Sequence, residues 1–308
     1  MIQTVGGCSV LLGLVAMSKD VESLYASVKA LSCVVKASKM AQIEMEQTGG
    51  YQTLSLLLWK KKSCLNSHIL HLCMGLVLAG DSKQVSTSIP NPIAFSDLLC
   101  QLEVWMEAPG ELGRTLLEHF IELGRDSSER QNNINVMRNL NLVGKLLCLL
   151  SEQFQKKEVS PSFLSSLGLL VGLNGNPPSQ TTTSLLFSLL TVLLACKPRS
   201  QDLMLFGQFI ISTLPVSCGS EKNIDIKNIT EADLESDPSS CAFVKSILLR
   251  NKCLDLVHTL LYNFNKNTIH LGYRSSSVNS FNFNLRVGTY FLSCLSEFQF
   301  VTFFQLYN

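Results

Sequence analysis

The sequence predicts an all-α chain, an armadillo- or HEAT-like solenoid of helical repeats with a disordered acidic loop and a poorly packed C-terminal tail. Three observations carry that expectation. Leucines recur at helical spacing: in Leu185 to Leu194 the pairs 185/186, 189/190 and 193/194 return every four residues, with Ser184, Ser188 and Thr191 between them. Such a pattern is a wide apolar stripe along one side of a helix. Before the C-terminal tail, no stretch sustains the period-two alternation of a strand. A glycine-led apolar segment also returns: Gly6-Gly7-Cys8-Ser9-Val10-Leu11-Leu12 is echoed by Gly49-Gly50-Tyr51-Gln52-Thr53-Leu54-Ser55, an offset of 43. A weaker echo, Leu142 to Leu150, stands at an offset of 135, close to three periods. Armadillo and HEAT repeats run about 40–47 residues, and each stacks only on its neighbours.

The elements follow in order. Asp20 can cap a helix over Val21 to Val35, because its carboxylate accepts from first-turn amides. Gly49-Gly50 marks the end of one helix, and further periodic segments lie at Leu65 to Leu78, Leu112 to Leu123 and Phe163 to Leu173. The breaker Asn174-Gly175-Asn176-Pro177-Pro178 precedes a second cap candidate, Ser179, and Lys197-Pro198 and Leu214-Pro215 punctuate the segment Leu203 to Leu214. These signals give a helical array over 1–215, an acidic flexible loop over 216–240, a continuation helix over 241–262 and an atypical tail over 263–308. The loop holds six acidic residues against Lys222 and Lys227. The tail holds half of the 16 phenylalanines and many asparagines.

Composition narrows the function. Of 308 residues, 46% are hydrophobic and 16% are charged, where about 25% charged is usual for a soluble domain. So thin a polar coat implies that part of the surface is lent to neighbours. The net charge of +1 argues against nucleic acid as a partner. The 11 cysteines are odd in number, include no C-x-x-C, and mostly sit in apolar runs, such as Cys33, Cys73, Cys148 and Cys196. They read as small buried hydrophobes in a reducing, cytoplasmic or nuclear compartment rather than as a disulfide framework. Met1 to Met17 lacks the basic start and the cleavage site of a signal peptide. The longest apolar run, Leu185 to Cys196, falls short of the roughly 20 residues of a membrane span.

Candidate chemistry is sparse. Cys64, His68, His71 and Cys73 have metal-ligand character, with 64, 68 and 71 placed on one helix face. A fourth ligand from another element is missing, so two polar tips and two small hydrophobes on a packed helix is the favoured reading. His119 and His258 carry no local signature that would activate a cysteine nucleophile. No G-x-S-x-G, H-E-x-x-H, Walker A or G-x-G-x-x-G motif occurs. No catalytic, cofactor-binding or metal-binding residue is therefore predicted, nor an enzyme, nor a cofactor. One basic knot stands out: Trp59 beside Lys60, Lys61 and Lys62 is a candidate for contact with an anionic membrane. Three lysines are fewer than such patches use, and a solvated helix end suits them better, which leaves membrane contact indirect at most.

Several separate segments resemble one known family. Gly6 to Met17, Leu65 to Leu72, Ala94-Phe95 with Asp97 to Cys100, Glu103-Val104-Trp105, Glu118 to Leu123 and Phe206 to Pro215 are similar to the armadillo-like region of the Alfy-type BEACH proteins, the WD repeat and FYVE domain-containing family. A paralogue fits better than Alfy itself. The resemblance covers Met1 to Tyr262 and implies a non-catalytic scaffold segment acting in autophagy, endosomal and vesicle trafficking, and, for one member, antigen cross-presentation by dendritic cells. It implies a cytoplasmic protein associated with endosomes or autophagosomes. It also implies protein partners bound through the helical-repeat surface, together with the downstream BEACH, PH, WD-propeller and FYVE modules of a full-length scaffold. None of those modules is in this chain. The expectation is a short isoform or fragment whose last residues, from Asn263, come from unrelated sequence.

Overall fold

A computed structural model describes residues 7–77, 88–125, 128–155, 182–195, 198–213, 249–260 and 262. Every regular element among the described residues is helical. The expected acidic loop 216–240, the tail 263–308, the helix Phe163 to Leu173 and the Ser179 cap lie outside them. The chain divides into two compact units, Met1–Lys145 with Ser179–Val192, and Leu146–Pro178 with Leu193–Asn308.

The first unit is built of repeats. It opens with α1 (Gly7–Met17), α2 (Val21–Ala37) and α3 (Lys39–Gln47), then α4 (Gly50–Lys60) and α5 (Ser67–Val77). A single turn, α6 (Pro92–Ala94), runs into a π-helical turn (Phe95–Leu99). The short α7 (Leu102–Met106), α8 (Leu112–Arg125), α9 (Arg130–Asn139) and the start of α10 (Leu142–Gln155) follow. Equivalent helices start at regular intervals: α2, α5 and α8 start at Val21, Ser67 and Leu112, 46 and 45 residues apart. α1 and α4 start at Gly7 and Gly50, 43 apart, and α3 and α9 at Lys39 and Arg130, two periods apart. α2 packs on α5 and α5 on α8, while α1 packs on α4 and α4 on the π turn. Two rows of stacked helices result, one through α2, α5 and α8 and one through α1, α4 and the π turn, as in an armadillo array.

Local chemistry sets these boundaries. Asp20 caps α2, its Oδ1 accepting from the Ser23 amide at 2.8 Å while Ser23 Oγ accepts from the Asp20 amide at 3.3 Å. Leu24, Val28, Leu31 and Val35 then recur on one face of α2 and are fully buried, each contributing roughly 1.5–3 kcal/mol by leaving water. The pair Gly49-Gly50, read from the sequence as the end of a helix, is rather the start of the next. α3 ends at Gln47, and Gly49 takes a left-handed φ of 65° as the N-cap of α4. A side chain would resist that conformation. At the equivalent place before α10 it is Asn141 that turns left-handed, with φ 56°.

α11 (Thr182–Ala195) belongs to the first unit as far as Val192, and buries Leu185, Leu186, Leu189 and Leu190. In the second unit, α12 (Ser200–Ser212) starts from an ion pair. Arg199 Nη2 and Nε donate to the two oxygens of Asp202 at 2.7 and 2.8 Å, and Asp202 is fully buried. Residues 249–260 form α13, which buries Leu249, Cys253, Leu256, Val257 and Leu260 at helical spacing.

Candidate functional site

The sequence singled out two clusters, and the structure treats them differently. The metal-like set does not converge. α5 begins only at Ser67, so Cys64 sits in a 3₁₀ turn (Lys62–Cys64), separated from it by Leu65 in extended conformation. The expected shared face of 64, 68 and 71 is therefore not formed. His68 lies edge-on to Tyr25 of α2 with ring centroids 6.0 Å apart. His71 Nδ1 is 2.6 Å from the Ser67 carbonyl. Cys73 is wholly buried, and its thiol is pushed up to about 12 by desolvation. Among the described residues, no three His, Cys, Asp or Glu side chains stand close enough to hold a metal ion.

Three other buried cysteines are poor nucleophiles for the same physical reason. Burial raises Cys100 and Cys253 to about 12, and burial followed by the Glu44 charge raises Cys8 to about 11. A thiolate that scarce at neutral pH attacks nothing. Two cysteines depart from the expectation of burial: Cys33 and Cys148 are exposed. Each stands within an apolar helix but on its outer side. Cys196 lies outside the described residues.

The basic knot is placed at the junction of three repeats. Trp59 is 46% exposed at the end of α4, and Lys60 beside it is exposed. Lys61 reaches back to donate to the carbonyl of Ser18, 43 residues earlier, at the C-terminal end of α1. A cation there meets the negative end of the helix dipole. Lys62 reaches forward and pairs with Glu107, 45 residues later, at the end of α7. Adjacent lysines thus point opposite ways along the array.

Three further bonds have the same separation. Asn91 Nδ2 donates to Glu46 Oε1 at 2.9 Å across 45 residues. The fully buried Asn133 accepts from the Ile89 amide at 3.0 Å across 44 residues, while its Nδ2 donates to the Leu123 carbonyl at 3.0 Å. Lys145 Nζ donates to the Cys100 carbonyl at 3.0 Å across 45 residues. Sequence reasoning missed these asparagines and Lys145. The signal that could have found them is the period itself, since a polar residue one repeat from another polar group is a candidate rung. The geometry builds a row of stacked helices in the first unit, joined by side-chain bonds about one repeat apart.

The chain is 28% identical over 262 residues to human WD repeat- and FYVE domain-containing protein 4, covering 83% of this chain. It is 29% identical over 262 residues to the mouse protein of the same name, covering 82%. The chain is a homologue of these proteins. They carry the family name that the sequence motifs resembled, and they are the paralogue expected to fit better than Alfy. The chain spans about 7% of the length of these relatives. No protein-family model matches the chain, and no solved structure matches it.

Proposed function

We propose that the chain is a non-catalytic scaffold segment of a WD repeat- and FYVE domain-containing BEACH-type protein. In this reading it acts in the cytoplasm, at endosomes or autophagosomes, in autophagy, vesicle trafficking and antigen cross-presentation by dendritic cells. The observation that carries the scaffold reading is the set of five side-chain bonds that span 43 to 45 residues. They run from each repeat of the first unit to the next, a construction that suits a scaffold. The raised thiols of Cys8, Cys73, Cys100 and Cys253 and the unassembled Cys64–His71 set support the non-catalytic reading. The relatives carry the WD repeat- and FYVE domain-containing name, the cellular role is the one the family resemblance implies, and in this reading the partners are proteins.

The test is replacement. In the human relative, the aligned segment is exchanged for a flexible linker of equal length, and expression and antigen cross-presentation are measured in dendritic cells. Loss of presentation at normal protein level is expected. Full presentation without the segment would remove this reading.

A further inference from the structure

We propose that the exposed seam between α2 and α5 docks an acidic peptide segment of a partner protein. Two ammonium groups are stationed along this seam, each held by something other than a carboxylate. Lys29 Nζ stands 5.5 Å from the centroid of the Tyr25 ring, one turn earlier on α2. The same ring meets His68 of α5 edge-on. Lys36, two turns further along α2, reaches across to α5: a Cβ added at Gly75 would stand 2.5 Å from its Nζ. Glycine inside a helix costs about 1 kcal/mol relative to alanine, and here the room it leaves is filled by the lysine. His71 follows His68 by three residues and precedes Gly75 by four, so it shares their face of α5. Lys29, Lys36, His68 and His71 are all exposed.

The charge of the seam is uncompensated. Among the described residues, neither Lys29 nor Lys36 pairs with a carboxylate. Other cations of the first unit are committed: Arg114 to Glu111 and Glu118, Lys62 to Glu107, and Lys61 and Lys145 to carbonyls. α5 carries no acidic residue, and α2 carries one, Glu22, in its first turn. A positive strip of this kind selects a negative occupant. The spacing selects its form. Lys29 and Lys36 are about 10 Å apart along the axis of α2, and the Tyr25 ring and Gly75 hold their ammonium groups at separate places. One phosphate cannot meet both as they stand. Carboxylates on one side of an extended peptide recur about every 7 Å, which flexible lysines can follow. The net charge of +1 argues against nucleic acid in the same place. The proposal rests on the scaffold reading above in one respect, that the partner is a protein.

The test titrates the full chain against a fluorescein-labelled peptide of alternating glutamate and serine, read by anisotropy, with the glutamine–serine peptide as reference. The glutamate peptide is expected to bind and the glutamine peptide not, and the binding should weaken as added salt screens the charges. Lys29→Ala with Lys36→Ala should weaken it about fivefold or more. Lys19→Ala with Lys39→Ala removes the same charge from exposed lysines outside α2 and α5, and should change it less than about twofold. Gly75→Ala removes no charge but displaces the Lys36 ammonium, and should weaken binding about twofold or more. Circular dichroism establishes that each variant is folded. Equal affinity for the two peptides, or equal loss from the two lysine pairs, would overturn the proposal. So would retention on anionic lipid vesicles that needs Lys29 and Lys36 while the peptide fails to bind, since the occupant would then be a lipid surface. The exchange experiment in dendritic cells reads the scaffold role separately: presentation lost there, with no peptide bound here, rejects this seam and leaves the scaffold standing.

Discussion

Lys61 donates its ammonium to the Ser18 carbonyl across 43 residues, and so ties the C-terminal end of α4 to the C-terminal end of α1 in the repeat before. Its neighbour Lys62 pairs with Glu107 in the repeat after. The second pair is 45% and 52% exposed, and pairs that wet are worth about 0–1 kcal/mol. Lys62→Ala is thus expected to change stability by less than about 0.5 kcal/mol. Lys61→Ala removes a charge-assisted bond at a helix end and should cost about 1 kcal/mol. Urea unfolding of the two variants beside Lys60→Ala checks the order. Flotation on vesicles rich in anionic lipid tests the membrane role of the same residues. With Lys61 and Lys62 committed to protein groups, the triple lysine-to-alanine chain should float no less than the parent.

Asn133 is the more costly rung. It is fully buried and serves Ile89 and Leu123 at once. Replacing it by alanine orphans a buried amide and a buried carbonyl, each at about 1–3 kcal/mol. The expected loss for Asn133→Ala is about 2–4 kcal/mol, read as a lower urea midpoint at unchanged slope. Asn133→Asp restores the acceptor for Ile89 but not the donor for Leu123, and it buries a charge. It should do no better than alanine at neutral pH.

Gly124 decides between two opposed effects. Glycine inside a helix costs about 1 kcal/mol relative to alanine, so Gly124→Ala would stabilise α8 if space allowed. Space does not allow it: a Cβ there would stand 2.5 Å from Val192 Cγ1 of α11, with Ile134 at 3.7 Å. Overpacking of that kind costs about 1–3 kcal/mol, and the steric term wins. Gly124→Ala should destabilise, and Val192→Ala in the same chain should recover part of the loss. A double-mutant cycle by thermal unfolding measures the coupling.

The helices were legible where one periodicity sufficed. Val21 to Val35 and Leu112 to Leu123 carry the stripe that buries them, and Asp20 supplies its own cap. The repeat was legible through Gly6-Gly7 and Gly49-Gly50, because the entry to α4 demands a left-handed residue. The rungs were not. Asn91, Asn133 and Lys145 are ordinary polar residues until stacking places a partner 44 or 45 positions away beside them. The Cys64, His68, His71 face failed for a local reason, since the spacing argument assumed a helix that the extended Leu65 interrupts. Cys33 failed because an apolar run marks a helix, not which of its sides faces solvent.

His119 makes the stability of the first unit depend on mild acid. On α8, its Nε2 is buried with no hydrogen-bond partner, and desolvation, then the charge of His71 on α5, pushes its pKa below the ordinary 6.5. The unfolded chain therefore binds this proton more readily than the folded one. Stability rises with pH wherever the unfolded state holds more protons. It follows that the contribution is present in full above about pH 6.5, is lost as pH falls below the unfolded value, and levels off once the folded histidine also protonates. His119→Phe keeps the ring beside Phe120, whose centroid lies 6.5 Å from that of His119, but removes the proton. Its unfolding midpoint should fall less than the parent's between pH 7 and pH 5. His71→Gln should have a smaller effect of the same sign, because the repulsion of His71 ranks below desolvation in shifting His119. Thermal unfolding across that pH range, followed by circular dichroism, would reject the assignment if parent and His119→Phe chains gave parallel curves.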